Sequence, residues 1–235
     1  MDRISVIQNL IDAQGAKIYL EIGVGNGQCF LQIKASRKIG VDMKFSLSYK
    51  RGIAKNYLVN LKSNIFNKYY QMPSDLFFRK YSGLFKKRKI DVVFIDGLHE
   101  YNQVIRDVNN CLNFLSVGGV IVLHDCNPDS EKVSLPFTKN SGKIHGPWMG
   151  DVWKAIVYFR SLRDDLSIFV LKTDCGLGIL TKGKPDSKLA YSLEDIKNLS
   201  YRNLEKSRSA MLSLKDPDYL EEFIKKMQSA KIHES

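Results

Sequence analysis

Apolar residues along this chain follow two rhythms. Short unbroken runs rich in Val, Ile and Leu alternate with stretches where apolar residues recur every three or four positions. Lys17 to Val24 reads as a strand running into glycines, and Lys38 to Asp42 as a short strand ending in an acid. Asp91 to Asp96 reads as a buried strand bounded by charge and Gly97, and Val120 to Leu123 as another. Tyr69 to Met72 predicts a brief strand before Pro73. The helical rhythm covers residues 1–16, with Ile4, Ile7, Leu10 and Ile11 on one face. It returns at Gln28 to Ser36, at Ser46 to Val59, and at Asn102 to Leu115, where Gly118-Gly119 follow as a stop. Such alternation implies a parallel sheet covered by helices on both faces.

Residues 127–150 break the rhythm. They hold three prolines and three glycines among many polar residues. A long loop that starts at a strand tip predicts a lid over a reaction centre, with Lys132, Lys139, Lys143 and His145 making it basic and Trp148 able to cover an acceptor. Asp151 to Leu162 predicts a helix. Ser167 to Leu171 and Leu177 to Leu180, joined by the turn-rich Thr173-Asp174-Cys175-Gly176, predict an antiparallel hairpin that closes the sheet. From Gly183 onward the chain is polar and helix-prone, with Asp216-Pro217 as a helix start. The expected organisation is one main domain over residues 1–183 and a helical C-terminal extension over 184–235.

Composition narrows the class. The chain has 235 residues and is 44% hydrophobic, which suits one large α/β domain and excludes a mainly disordered chain. No apolar run is long enough to span a bilayer, and the first residues lack the plan of a signal peptide. Cys29, Cys111, Cys126 and Cys175 are scattered without a Cys-x-x-Cys pair, as expected for free thiols in a cytoplasmic setting. The net charge of +11 admits a polyanionic partner. Its only dense run is Lys86-Lys87-Arg88-Lys89, just before a strand, so a lysine-rich solvated surface is the preferred reading.

The chemistry concentrates in Glu21-Ile22-Gly23-Val24-Gly25-Asn26-Gly27. Glycines after a first strand let backbone approach a ligand closely, and a following helix would offer free N–H groups. A dinucleotide fingerprint needs Gly-x-Gly-x-x-Gly, but position 28 is Gln and the third glycine comes one residue early. Glu21 disfavours a pyrophosphate and suits a cationic amino acid moiety. Asp42 ends the second strand where an acid accepts hydrogen bonds from ribose hydroxyls. Ser74 and Asp75 follow the third strand, where an adenine-side contact would lie, although Ser-Asp also serves as a helix cap.

These residues resemble the class I S-adenosylmethionine-dependent methyltransferases. The branch they look like includes O-methyltransferase-like and macrocin/cephalosporin-hydroxylase-like proteins. The segments that carry the resemblance are LEIGVGNGQ, GVDMK, VVFIDGLHEYNQVIRDV, LSVGGVIVLHDC, GDVWKAI and TDCGLGIL, within residues 15–183. The resemblance implies a Rossmann-like α/β fold: a seven-stranded, mostly parallel sheet with a terminal antiparallel hairpin. It also implies that Glu21, Gly23, Gly25 and Asp42 bind S-adenosyl-L-methionine; the reading of the residues themselves adds Ser74, Asp75 and Asp96 to the expected site.

The acceptor side is expected around Asp96, His99, His124 and Asp125. If the strands ending at Asp96 and Asp125 are neighbours, their carboxylates lie close enough to resist joint ionisation without a cation between them. Related O-methyltransferases hold magnesium at such a place, but the tip here reads His124-Asp125-Cys126-Asn127 and lacks the usual paired acid or Asp-Asn. Two readings stand side by side: Mg²⁺ held by Asp96 and Asp125, or Asp96 orienting the methionine or acceptor end without metal. Methyl transfer to oxygen needs a base, and His124 and His99 are the candidates.

The leading expectation is O-methylation of a hydroxyl on a small-molecule or carbohydrate acceptor, which the basic charge would help if it is anionic. An RNA methyltransferase is favoured only by net charge; no Pro-Cys dipeptide is present, and no Asn-Pro-Pro-Tyr-like motif follows the Asp96 strand. The intact Asp96, His99, His124 and Asp125 set argues against a non-catalytic S-adenosylmethionine-binding protein. Glu21 and the glycine spacing argue against a dehydrogenase.

Overall fold

Strand β1 (Ile18–Ile22) is buried along its whole length because strands flank it on both sides and helices cover both faces. The computed structural model describes residues 1–46, 60–136 and 148–233. The helix expected over 46–59, and Lys139, Lys143 and His145 of the expected lid, lie outside the described residues.

The other strands are β2 (Arg37–Asp42), β3 (Lys68–Gln71), β4 (Ile90–Ile95), β5 (Leu115–Leu123), β6 (Leu166–Leu171), β7 (Leu177–Lys182) and β8 (Leu214–Lys215). They form one sheet in the order β3-β2-β1-β4-β5-β7-β6-β8. Strands β1 to β5 pair in parallel, while β7 runs antiparallel to both β5 and β6, as the expected hairpin requires. The short β8 adds an eighth strand, parallel to β6, to the seven expected.

Successive strand residues point to opposite faces, and this sorts the core in two. Ile18, Leu20 and Ile22 of β1, with Val93, Ile95, Ile121 and Leu123, belong to one apolar cluster. Helices α4 (Tyr101–Leu112) and α5 (Trp153–Leu162) cover it through Val104, Val108, Trp153 and Ile156. Tyr19, Val92, Phe94, Val120 and Val122 belong to the other cluster, with Ile7 and Leu10 of helix α1 (Arg3–Gln14). Glu21 shares the face of Tyr19 by the same alternation.

Two short helices, α2 (Leu61–Asn64) and α3 (Ser74–Tyr81), flank β3. The last stretch forms α6 (Leu193–Asn198), α7 (Tyr201–Leu212) and α8 (Tyr219–His233). Ile196, Leu204, Met211 and Leu212 enter the first cluster, and Leu220 and Phe223 the second.

One expected helix is absent. Gln28 to Ser36 folds as hydrogen-bonded turns and bends rather than a helix. Side chains take the carbonyls that a helix would use. Lys38 Nζ donates to Phe30 O at 2.6 Å and Ile33 O at 2.8 Å, and Asn64 Nδ2 donates to Leu31 O at 3.1 Å. Outside partners also take its amides: Lys34 N donates to Gln8 Oε1 and Ala35 N to Ser63 Oγ. Tertiary partners thus override a helical apolar pattern.

Candidate active site

The carboxyl ends of β1, β4 and β5 lie side by side and are stitched together. Asp96 N donates to Ile22 O at 2.8 Å, and His124 N donates to Ile95 O at 3.0 Å. The chain moves outward in one direction from β1 to β2 and in the other from β4 to β5, so a crevice opens between β1 and β4, the usual ligand position in such sheets. Gly23 sits in that crevice with φ +89°, and a Cβ there would stand 2.0 Å from the carbonyl oxygen of Asp96. Only glycine fits that position.

A cavity of about 520 Å³ extends from Gly23 across the tip of β2, with Gly25, Asp42, Ser74, Asp75 and Asp96 in its wall. Asp42 Oδ2 accepts from Gly25 N at 2.7 Å, and Oδ1 accepts from Lys44 N at 2.9 Å. The glycine loop therefore aims at the acid that ends β2. Ser74 does not cap α3 with its side chain; its Oγ donates to Asp107 of α4 at 2.5 Å. Asp75 pairs with Arg106 of α4 at 3.2 Å.

Glu21 lies on the other side of Gly23, in an adjoining polar lobe of about 280 Å³. It is buried and accepts a hydrogen bond from the Tyr19 hydroxyl. Burial pushes its carboxyl up to about 8, against that hydrogen bond. Lys38 on the neighbouring strand is spent on backbone carbonyls and Asn64, and burial brings its ammonium down to about 8.

Beyond Asp96 stands a compact cluster of acids and histidines. His124 Nδ1 lies 3.0 Å from Asp125 Oδ1 and 3.3 Å from Asp96 Oδ1, and its Nε2 lies 3.4 Å from Asp174 Oδ1. Burial disfavours its charge, but hydrogen bonding to Asp125, Asp174 and Asp96 outweighs that and raises it to about 11. His124 is thus an imidazolium among three carboxylates. His99 Nε2 lies 3.3 Å from Asp96 Oδ1 and its Nδ1 3.1 Å from Asp125 Oδ2 and 2.8 Å from the Trp148 carbonyl. Its pKa is also raised, because hydrogen bonding to Asp96 and the charges of Asp125 and Asp96 outweigh burial. Burial alone would raise Asp96, yet the hydrogen bonds from His124 and His99 hold its carboxyl well below the usual range.

Backbone strain collects here. Asp125, Asp174 and Cys175 all have positive φ, at 60°, 43° and 63°. Trp148 stacks on His99 with ring centroids 5.1 Å apart and donates from Nε1 to Leu135 O. Trp153 is core.

The sequence reading did not place Arg3, Asp174 or Cys175 at the site. Arg3 Nη1 donates to Asp96 Oδ2 at 2.9 Å, and its Nε and Nη2 donate to Asp174, each at 2.9 Å. The turn 173–176 was legible as a hairpin loop, and its acid, two residues before a glycine, was the available signal.

Residues 20–126 match the family described as "Methyltransferase domain". That stretch of the chain is therefore similar to a methyltransferase domain. The fold of the chain is that of O-methyltransferases of known structure. An O-methyltransferase from Bacillus cereus in complex with S-adenosylhomocysteine is 16% identical over 77% of this chain and 80% of its own, with a TM-score of 0.56. TomG, an O-methyltransferase from Streptomyces achromogenes involved in tomaymycin synthesis and solved with S-adenosylmethionine, is 14% identical over 77% and 79%, with a TM-score of 0.50. No curated protein matches the chain. Among the described residues, no helix is long and apolar enough to cross a membrane.

Proposed function

We propose that this protein is a methyltransferase that moves the methyl group of S-adenosylmethionine to a hydroxyl of a small-molecule or carbohydrate acceptor. The observation that carries the reading is the two-lobed cavity pinched at Gly23 and Asp96. The larger lobe, with Asp42 in its wall, suits the adenosine, whose ribose hydroxyls would donate to Asp42. The smaller lobe, with Glu21, suits the amino acid end. The sulfonium then sits at the junction, against Asp96, with its methyl facing the histidine cluster. Acids around that point favour a sulfonium and oppose a pyrophosphate.

In the step itself the acceptor oxygen attacks the methyl carbon. The new C–O bond forms as the C–S bond breaks, and the sulfur keeps the electron pair as a neutral thioether. The acceptor proton must leave with the attack. His99 is the proposed recipient through Nε2: in its neutral form Nδ1 donates to the Trp148 carbonyl, and the proton taken up at Nε2 is then held by Asp96. His124, closed in by Asp96, Asp125 and Asp174, is proposed as a fixed cation that holds these carboxylates in place.

A divalent cation also fits this donor set. Asp96, His99 and Asp125 offer ligand atoms within 4.8 Å of one another. The imidazole shifts the preference from magnesium toward manganese or a later transition metal. Such a cation would acidify an acceptor hydroxyl.

The test is to incubate the protein with methyl-labelled S-adenosylmethionine and a panel of hydroxylated small molecules, sugars and bulk RNA. Label in an alkali-stable methyl ether of a small acceptor supports the reading; label only in RNA overturns it. His99→Asn should lower turnover by roughly 10²- to 10⁴-fold while S-adenosylhomocysteine affinity stays nearly unchanged. Excess EDTA should abolish activity, and Mn²⁺ restore it, if the cation is required.

A further inference from the structure

The smaller lobe poses a charge problem. Four acids, Asp2, Glu21, Asp96 and Asp174, line it, and its one cationic side chain among the described residues is Arg3. An amino acid end carries both an ammonium and a carboxylate. The ammonium has several partners there, but among the described residues Arg3 is the one cationic partner for the carboxylate.

Arg3 is held ready for that task. Asp174 accepts from the Arg3 backbone N–H at 2.7 Å and from Nε and Nη2, and Asp96 accepts from Nη1. A guanidinium has five N–H donors in a fixed plane. The bonds to Asp174 and Asp96 leave one N–H on each Nη. The side chain is about 29% exposed, so these donors can be reached. Arg3 opens helix α1, whose N-terminal dipole also favours an anion.

We infer that Arg3 is the residue that recognises the α-carboxylate of the cofactor, an assignment that rests on the proposed S-adenosylmethionine site. It selects ligands with an intact amino acid end over adenosine thioethers that lack the carboxylate. Because the same guanidinium bonds Asp96, a bound carboxylate also positions Asp96 at the sulfonium.

Calorimetry on the full chain tests this with two ligands: S-adenosylhomocysteine and its decarboxylated analogue, S-adenosyl-3-thiopropylamine. The wild type should lose roughly ten- to a hundredfold in affinity when the carboxylate is removed. Arg3→Ala should bind both ligands alike, at about the wild-type affinity for the decarboxylated one. Arg3→Lys keeps a charge between Asp96 and Asp174 and guards against loss of folding; it should retain only a small part of the discrimination. Equal wild-type affinity for the two ligands, or full discrimination in Arg3→Ala, would overturn the assignment and leave the cofactor site standing. A wild type that binds neither ligand would instead remove the S-adenosylmethionine reading, and this assignment with it.

Discussion

Glu21 is the residue whose chemistry depends most on what enters the site. Burial holds it protonated up to about pH 8. A ligand ammonium beside it would favour the ionised form. The free protein then carries the proton at pH 7 and the complex does not, so binding releases it. S-adenosylhomocysteine affinity should therefore rise with pH toward about 8 and level off above it. Calorimetry at pH 7 in buffers of different ionisation enthalpy reads the proton directly, and a count of zero would dismiss the idea. Glu21→Gln should lose both the proton and the slope. At the other lobe, Asp42→Ala removes the proposed ribose acceptor and should weaken binding by about 2–3 kcal/mol. Glu21, Asp42 and Asp96 were legible because each ends or lies within a strand beside glycines. Arg3 was not, since its partner Asp174 is 171 residues away and no local pattern joins them.

At the scale of elements, β1, β4 and the end of β5 were legible because fully buried parallel strands must be continuous apolar runs, whereas the two-residue β8 and the start of β5 at Leu115, read as helix, were not. The Gln28 to Ser36 helix was misread because its pattern is helical while its hydrogen bonds go to Lys38, Asn64, Gln8 and Ser63. The loop after β1 therefore depends on glycine geometry rather than on a helix start. Gly23→Ala should collide with the Asp96 carbonyl and separate β1 from β4. A melting temperature and cofactor affinity equal to wild type would contradict this. The tie between α3 and α4 has a pH signature. Burial raises the Asp107 carboxyl to about 6, against hydrogen bonds from Ser74 and Gln103. Its favourable contribution is present while it is protonated, below the ordinary carboxylate value, and fades as pH rises through about 6. Asp107→Asn, neutral at every pH, should raise stability at pH 8 by on the order of 2 kcal/mol and little at pH 4, read from denaturant midpoints.

Over the whole molecule, the net charge of +11 coexists with an acidic centre. The excess of positive charge does not extend to the site, whose acids suit a cationic cofactor. The polar tail reads as an extension separate from the main domain because its apolar residues are sparse, yet Leu204, Met211, Leu212 and Leu220 are fully buried. Losing a single such leucine costs about 2–5 kcal/mol, and a domain has only about 5–15 kcal/mol in all. A chain ending at Gly183 should fail to give a cooperative melt, whereas an independent domain would melt as the full chain does. The same closure has a kinetic side. Helix α1 packs against α8, and Arg3 is bonded to a turn that follows most of the sheet. Contacts so distant along the chain form slowly. After dilution from denaturant, helical signal should return first and S-adenosylhomocysteine binding only with the slowest phase. The proposed amino acid lobe joins residues as far apart along the chain as Arg3 and Asp174, and it should be among the last parts of the molecule to become functional.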